Sequence, residues 1–460
     1  MKKNAQSGPT IDNDVIVRMP DGTVKQVNPL TGTQVWTIPG RGHRPLTVPD
    51  RIPQPIEDGA EKTACAFCSG RMLETPPEKA RVVRDVNVHG DVSWRTLPGQ
   101  LPQDLGKTVA DFRRVPNLFE IVSYNYWHLG HGLEPSEEQR RAMAEYLATP
   151  GGYDHILSIV RNKLKASGSS EADLEQISEP ELLRAAYGFF CGGHDLIIGR
   201  RHFVDGATDD SQLAGAGTLT PNEHEQFIRF TIESMKQLYG LHKDVRYVAA
   251  FQNWLRPAGA SFDHLHKQLV AIDERPVQIE AELSRLRKNP QIYSQILAYT
   301  ASRGLVLAQN DHAVALAGFG HRFPSVAVWP LGQAATPWEC TPEQVRGVSD
   351  LLQAMHAATG VEVPCNEEWY HCPPSQSGKV NMRWRILLKW RISTLAGFEG
   401  GTRIYLNTLD PWVIRDRVTE KLLELRENSE KPEEQRDPNL PLIAPMRIGK
   451  ECKVTPEMLG

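Results

Sequence analysis

The sequence predicts an α+β protein in which one module occurs twice in tandem. Each copy contains the same helix start, in Thr220-Pro221-Asn222-Glu223 and in Thr341-Pro342-Glu343-Gln344. In both, Thr can cap the helix, Pro suits the first helical position and Glu or Gln completes a capping box. His264 follows the first Thr by 44 positions and Arg383 follows the second by 42. This common spacing predicts a duplicated α+β module.

Strand-like runs flank both predicted helices. In the first unit, His194–Ile198 precedes the helix, and Val245–Phe251 and Leu265–Ile272 follow it as a hairpin. In the second unit, Ala313–Leu316 precedes the helix and Met382–Leu388 follows it. Apolar residues lie on one face of each helix, as expected for a helix that packs on a sheet.

The remaining segments set the predicted boundaries. An irregular arm with the β-prone run Gln34–Ile38 starts the chain, and a Glu-, Ala- and Leu-rich insertion at about 130–187 is predicted to be helical. We expect a catalytic domain over 1–275, a second domain over 276–426 and a loosely packed, proline-rich tail over 427–460.

Composition excludes several classes of protein. The 460 residues have a formal net charge of −4, and no apolar run is long enough to span a bilayer. A nucleic-acid-binding or membrane protein is therefore not expected, and an anionic ligand needs a local cluster of bases. The polar N-terminal residues and seven mostly scattered cysteines favour a cytoplasmic protein with reduced thiols.

The densest group of reactive side chains lies at the start of the last strand of the first unit. His264, His266 and Gln268 alternate, so a strand would place all three on one face. An exposed strand can carry such residues without any function. The preceding Gly259-Ala260-Ser261 favours function, because a glycine turn lets backbone N–H groups approach a phosphate.

These residues resemble the galactose-1-phosphate uridylyltransferase branch of the histidine-triad superfamily. The matching positions are Asn253, Gly259, Ser261, His264, His266 and Gln268. The resemblance implies two histidine-triad-like units, each an antiparallel sheet packed with helices. It also implies that His266 attacks the α-phosphorus of a nucleoside diphosphate sugar to form a nucleotidyl-histidine.

The resemblance assigns supporting roles in this block. Gln268 would bind a nonbridging phosphate oxygen, and Ser261 with Arg256 or Lys267 would take the displaced charge. Lys267 stands where the family more often has a small residue. This departure bears on substrate choice more than on chemistry.

Cys65-Ala66-Phe67-Cys68 has the spacing that lets two thiolates bind one tetrahedral metal, although a lone pair of this kind can also be unliganded. The family completes a zinc site with the first His of the active-site pair, here His264, and with a His beyond a preceding strand. For that fourth ligand His202 is preferred over His194. The resemblance thus predicts zinc, in a structural role.

Further matches predict substrate contacts. Arg41 and Arg44 resemble an arginine pair near the nucleotide, and Asn117 resembles an Asn near the base and ribose. Phe398 and Glu399 match a motif that reaches the sugar from a neighbouring subunit, which implies a homodimer. Arg403 is a further candidate for the sugar phosphate across that dimer.

The leading prediction is transfer of UMP between UDP-hexose and hexose 1-phosphate. One alternative is an ADP- or UDP-sugar phosphorylase that uses inorganic phosphate, and another is a nucleotide sensor without catalysis. A hydrolase is disfavoured, because the family pattern would then have a third His in place of Gln268.

Overall fold

The computed structural model describes residues 15–40 and 52–460. Its strands are β1 (Ile16–Arg18), β2 (Val24–Val27), β3 (Gln34–Thr37), β4 (Ala80–Val86), β5 (Val92–Pro98), β6 (Ala110–Pro116), β7 (His194–Gly199), β8 (Tyr247–Trp254), β9 (His266–Ile272), β10 (Val306–Gln309), β11 (Ala313–Ala317), β12 (Ser325–Pro330), β13 (Cys365–Tyr370), β14 (Arg385–Trp390), β15 (Ile404–Asn407) and β16 (Arg447–Ile448).

Its α-helices are α1 (Ala60–Thr63), α2 (Tyr124–His131), α3 (Glu137–Ala148), α4 (Gly152–Ala166), α5 (Glu171–Gln176), α6 (Glu179–Ala185), α7 (Tyr187–Cys191), α8 (Pro221–Tyr239), α9 (Val277–Lys288), α10 (Ile292–Ser302), α11 (Pro342–Thr359), α12 (Gly397–Thr402) and α13 (Pro411–Glu430). The predicted α+β class, with antiparallel sheets packed with helices, is confirmed. None of the described helices is both long and apolar enough to cross a membrane.

The sheets of the two predicted units join into one. The order β16-β10-β11-β12-β14-β13-β8-β9-β7-β6-β4-β5 forms twelve strands, and β8 pairs antiparallel with β13 at the junction. The register there runs from Phe251 opposite Glu368 to Trp254 opposite Cys365. Strand β9, which carries His266, is thus separated from the second half by the single strand β8.

Helices α8 and α11, which follow the two Thr-Pro pairs, begin with the same type of cap. The side chain of Thr220 accepts a hydrogen bond from the backbone N–H of Glu223, and Thr341 does so from Gln344, both at 3.2 Å. Both predicted caps are confirmed. Helices α8 and α11 pack against each other on one face of the sheet.

A second, four-stranded sheet has the order β1-β2-β3-β15. Strand β15 runs parallel to β3, with Tyr405 opposite Val35. This pairing ties the N-terminal arm to the segment that follows the Gly-Phe-Glu motif.

Helices α2 to α7 occupy the region predicted as a helical insertion and extend somewhat beyond it. Apolar side chains of α3, α4, α6 and α7 form a separate cluster that includes Ile156, Ile159 and Phe189, all at most 2% exposed. This cluster explains how so long an insertion is stabilised away from the main core.

The loosely packed tail predicted for residues 427–460 is wrong. Helix α13 continues to Glu430, and β16 adds to the sheet through Ile448 opposite Ala308. Ile443 and Leu459 are buried as well. The prolines prevent regular structure in this segment, but its spaced apolar side chains still bury against the second half.

Candidate active site

The predicted nucleophile lies at the start of β9, on the face of the sheet away from α8. Side chains alternate along a strand, so His266 and Gln268 share one face and Lys267 points to the other. His266 is opposite Ile198 on β7 and packs edge-on against Phe67, with ring centroids 5.2 Å apart.

The loop between β8 and β9 brings backbone close to this strand. Leu255 has φ 65° and ψ 156°, and Gly259 has φ 91° after a 3₁₀ turn over Arg256–Ala258. The Gly259 conformation suits glycine, whereas Leu255 is strained there. Arg256 and Ser261 are exposed on the loop.

Hydrogen bonding fixes the tautomer of His266. Its Nδ1 lies 2.7 Å from the carbonyl oxygen of His264, which can only accept, so Nδ1 carries the proton and Nε2 keeps its lone pair. Burial lowers the pKa of His266 to about 4. The imidazole is therefore neutral at physiological pH and able to act as a nucleophile at Nε2.

Gln268 is oriented by a buried histidine. The backbone N–H of Ile121 donates to His194 Nδ1 at 3.0 Å, so His194 Nε2 carries a proton and donates to Gln268 Oε1 at 3.1 Å. Burial lowers the pKa of His194 to about 4, which keeps it neutral. Asn117 Nδ2 lies 3.0 Å from His194 Nε2. The amide NH₂ of Gln268 is left to donate to a ligand.

The assignment of Lys267 to substrate phosphate is wrong. Its ammonium group is fully buried beneath the strand, 2.6 Å from Glu367 and 4.6 Å from the centre of the Phe227 ring. Burial opposes ionisation of Glu367, but the charge of Lys267 and the hydrogen bond from His356 outweigh it and lower the pKa of Glu367. Lys267 thus joins β9 of the first half to β13 of the second.

Four predicted metal ligands come together beside the active-site strand. The Sγ atoms of Cys65 and Cys68 are 3.8 Å apart, and Nδ1 of His264 is 3.3 Å from Nδ1 of His202. The S···N distances are 3.4 Å from Cys65 to His264, 3.6 Å from Cys68 to His202 and 3.8 Å from Cys68 to His264. Zn–S bonds of about 2.3 Å and Zn–N bonds of about 2.0–2.1 Å in a tetrahedron require edges of about 3.3–3.8 Å.

The surroundings of this cluster also suit a metal. All four residues are buried, and His264 Nε2 lies 2.7 Å from the carbonyl oxygen of Gly199. Because that carbonyl oxygen can only accept, Nε2 carries the proton and Nδ1 is left as the ligand atom. A metal-bound His usually donates its other ring N–H in this way. The residues therefore fit one tetrahedral zinc ion. His194, the alternative fourth ligand, contacts Gln268 instead.

The remaining residues predicted to contact substrate lie in the N-terminal arm and around α12. Arg41 and Arg44 lie outside the described residues. Phe398 is 43% exposed with its ring centre 6.2 Å from that of Trp36, and Glu399 caps α12 by accepting from the backbone N–H of Ala396 at 3.0 Å. Arg403 is exposed at the end of α12.

Asn253 marks the junction between the halves. Its Oδ1 accepts from Asn366 Nδ2 at 2.7 Å, and the same amide group donates to the carbonyl oxygen of Ala258 at 2.8 Å. The second half therefore directly supports the loop between β8 and β9 (residues 255–265), which we call the phosphate loop because its Gly259-Ala260-Ser261 turn is predicted to approach a phosphate. Sequence reasoning missed Asn366, since only the pairing of β8 with β13 brings it to the site.

Comparison with known proteins places this site in a family context. A family model described as a domain of unknown function, DUF4921, matches residues 19–460. This chain belongs to that family. ADP-glucose phosphorylase from Arabidopsis thaliana is 22% identical over 392 residues, which are 84% of this chain and 89% of the relative.

Two other comparisons give related proteins. Galactose-1-phosphate uridylyltransferase from Thermotoga maritima is 25% identical over 231 residues, covering 44% of this chain and 69% of the relative. The crystal structure of the Arabidopsis thaliana ADP-glucose phosphorylase with bound ADP-glucose has a TM-score of 0.55 at 18% identity, covering 86% of this chain and 98% of that one. The predicted resemblance to the GalT-like family is confirmed.

Proposed function

We propose that this DUF4921 member is a nucleotidyltransferase that acts on a nucleoside diphosphate hexose through a covalent nucleotidyl-His266. The observation that carries the proposal is a buried, neutral imidazole whose only proton is held at Nδ1 by the His264 carbonyl group. Gln268 lies beside it with its Oε1 engaged, so that its NH₂ can hold a phosphate oxygen. Both features favour attack by Nε2 on phosphorus.

The reaction has two steps in this proposal. In the first, a bond forms between Nε2 of His266 and the α-phosphorus, the bond from that phosphorus to the bridging oxygen breaks, and hexose 1-phosphate leaves. In the second, an oxygen of an acceptor phosphate attacks the same phosphorus and the electron pair of the P–N bond returns to Nε2. One set of phosphate contacts serves both steps, because each passes through a similar transition state.

Zinc belongs to the proposal as a structural ion. Cys65, Cys68, His202 and His264 would hold it, and it would supply tetrahedral cross-linking rather than contact with substrate. By fixing His264, it would also fix the carbonyl group that orients His266. None of the seven cysteines forms a disulfide, which suits the reducing cytoplasm we expect.

The acceptor has two candidates. Transfer of UMP to a hexose 1-phosphate is favoured by the Gly-Phe-Glu motif, since Glu399 could accept hydrogen bonds from sugar hydroxyls. Use of inorganic phosphate, as the name of the Arabidopsis relative indicates for that enzyme, is favoured by the 84% of this chain that the likeness covers.

Exposure of Phe398 supports a homodimer in which α12 reaches a neighbouring site.

Isotope exchange tests the two-step reaction and the acceptor together. We expect labelled glucose 1-phosphate to enter UDP-glucose or ADP-glucose without any second sugar present. Exchange with neither nucleotide sugar would contradict the proposal. Faster consumption of nucleotide sugar with inorganic phosphate than with every hexose 1-phosphate tested would assign the phosphorylase activity.

A further inference from the structure

Two arginines of the second half lie at the same end of the sheet as the phosphate loop. Arg391 directly follows β14, and Arg322 precedes β12. The antiparallel order β9-β8-β13-β14-β12 brings this end of β14 next to the start of β12 and the end of β8. Neighbouring strands are about 4.8 Å apart, so Arg391 follows a strand about 14 Å from the strand that carries His266.

Both guanidinium groups pack on one aromatic ring. Arg391 lies 4.6 Å and Arg322 5.5 Å from the centre of the Phe323 ring, and Arg322 also lies 5.5 Å from that of Tyr405. Burial and then the charge of Arg322 lower the pKa of Arg391. The charges of the two guanidinium groups repel each other, and an anion bound near both would relieve that repulsion.

The hydrogen bonds of Arg391 leave it incompletely satisfied. Its Nη1 donates to Asn366 Oδ1 at 2.7 Å, while its buried Nε finds no hydrogen-bond partner among the described residues. The nearby carboxylate of Glu368 is already engaged by Lys389 at 2.5 Å. A buried guanidinium N–H without a partner is costly in a ligand-free protein and is suited to receive an oxyanion.

Asn366 connects this pair to the active site. Its amide group contacts Asn253 and the Ala258 carbonyl group of the phosphate loop, on the side of His266 away from Asn117. Asn117 lies near His194 and Gln268, at the opposite flank of β9. A ligand with its nucleoside at Asn117 and its α-phosphorus at His266 would extend its second phosphate toward Arg391.

We propose that Arg322 and Arg391 bind the phosphate that the nucleotidyl group leaves and rejoins: the β-phosphate of the donor and, in the second step, the phosphate of the acceptor. In that step the attacking phosphate oxygen forms a P–O bond at the α-phosphorus, the P–N bond breaks, and its electron pair returns to Nε2 of His266. A phosphate dianion needs no general base. This inference rests on the proposed function, and it supplies the bases that the buried Lys267 cannot.

The test separates this anion site from the chemistry. In a His266→Asn background, which cannot react, calorimetry measures the affinity for inorganic phosphate, glucose 1-phosphate, AMP and UMP. We expect Arg391→Met and Arg322→Met each to weaken binding of inorganic phosphate or glucose 1-phosphate by about tenfold or more, since each variant loses a charge-assisted hydrogen bond to the anion. Binding of AMP or UMP, which lack the second phosphate, should change less than about twofold.

Arg303→Met is the matched control, because Arg303 also stacks on an aromatic ring, 5.1 Å from the centre of Tyr299, but lies at the end of α10. Arg391→Lys should restore part of the affinity. Loss for only one of the two anions identifies the acceptor as free phosphate or as a sugar phosphate. Unchanged binding in both Met variants, or no binding of either anion to the parent at millimolar concentration, overturns the proposal.

A second arm follows the reaction in the His266 protein. If that protein acquires label from nucleotide sugar, its release by added phosphate or glucose 1-phosphate should require about tenfold more acceptor in Arg391→Met. If it acquires no label with either nucleotide, the proposed function fails while the binding arm still decides the anion site.

Discussion

Strands β9 and β14 occupy equivalent places in the two halves, yet their side chains do different work. The positions of His264 and His266 in the first half correspond by spacing to Arg383 and Arg385 in the second. His266 is neutral with one nitrogen available, whereas Arg385 makes an ion pair with Glu282 of α9, with contacts of 2.7 and 2.5 Å. One scaffold thus carries the proposed nucleophile in the first half and a buried ion pair in the second.

In the proposed function, the first half of the duplicated sheet carries the reacting residues and the second half holds them in position. In the second half, Arg385 is 4% exposed and also lies 4.8 Å from the centre of the Tyr370 ring. Its guanidinium group is itself a cation, so it cannot serve as a ligand for a metal ion. The second half instead contributes Asn366 to the phosphate loop and Glu367 to the buried pair with Lys267.

The largest expected effect concerns the Cys and His cluster of the first half. Cys68→Ser removes one of four metal ligands, and structural zinc sites bind with apparent free energies of about 10–16 kcal/mol in small domains. We expect zinc content to fall from about one per chain to near zero and the thermal unfolding temperature to drop sharply. Cys340→Ser, at a half-buried cysteine outside the cluster, is the control. Full metal content and unchanged stability in Cys68→Ser would remove zinc from the account.

The next effect concerns the buried ion pair of the second half. Arg385→Met leaves the carboxylate of Glu282 buried without its partner, and breaking a buried pair in this way costs about 3–5 kcal/mol. Chemical denaturation should show this loss in the free energy of unfolding. Arg385→Met combined with Glu282→Met should recover most of it, because no uncompensated charge remains. A double variant as unstable as the single one would show that the pair is not the source of the stability.

An effect smaller than the loss of either the metal or the ion pair is expected at His194, which lies on β7 of the first half and orients Gln268. His194→Leu keeps a buried side chain of similar size but removes the hydrogen bond to Gln268, which is then free to turn away from the phosphate. We expect the rate of nucleotide transfer to fall about tenfold, roughly 1.4 kcal/mol of barrier, with little change in nucleotide affinity. His155→Leu, at a buried, hydrogen-bonded histidine in the insertion, should leave both unchanged. An equal loss of affinity in His194→Leu would point to a merely structural role.

The smallest effect is expected at Leu255, where the loop of the first half leaves β8. Its φ of 65° with ψ 156° lies in a region that only glycine adopts without strain. Leu255→Gly should relieve about 1–3 kcal/mol of strain and lose about 0.5–1 kcal/mol through backbone entropy and more through lost apolar contacts. A change in the free energy of unfolding within about 1 kcal/mol of zero is therefore expected. A loss above about 3 kcal/mol would show that side-chain packing, not strain, dominates there.

Local signals carried most of what the sequence predicts correctly. The caps at Thr220 and Thr341 and the alternation that separates His266 from its neighbours depend on residues close in sequence, and so does the strand that follows each helix. The same alternation places the side chain of Lys267 on the face opposite to His266, where it pairs with Glu367, and this is why its assignment to substrate phosphate is wrong.

Features that depend on long-range pairing were beyond the sequence. The joining of β8 to β13 brings Asn366 and Arg391 to the phosphate loop, and no motif near either residue signals it. The five prolines of residues 427–460 predict a loose tail, but Ile443 and Leu459 are buried there, and their burial depends on contacts distant in sequence.

The covalent intermediate at His266 tests the central claim most directly. The protein is incubated with UDP-glucose or ADP-glucose without acceptor, quenched at alkaline pH, at which phosphoramidates persist, and digested for peptide mass spectrometry. We predict a nucleoside monophosphate adduct on His266 that disappears when acceptor is added and is absent from His266→Asn. An adduct on a different residue, or turnover in His266→Asn within about tenfold of the parent protein, would contradict the account.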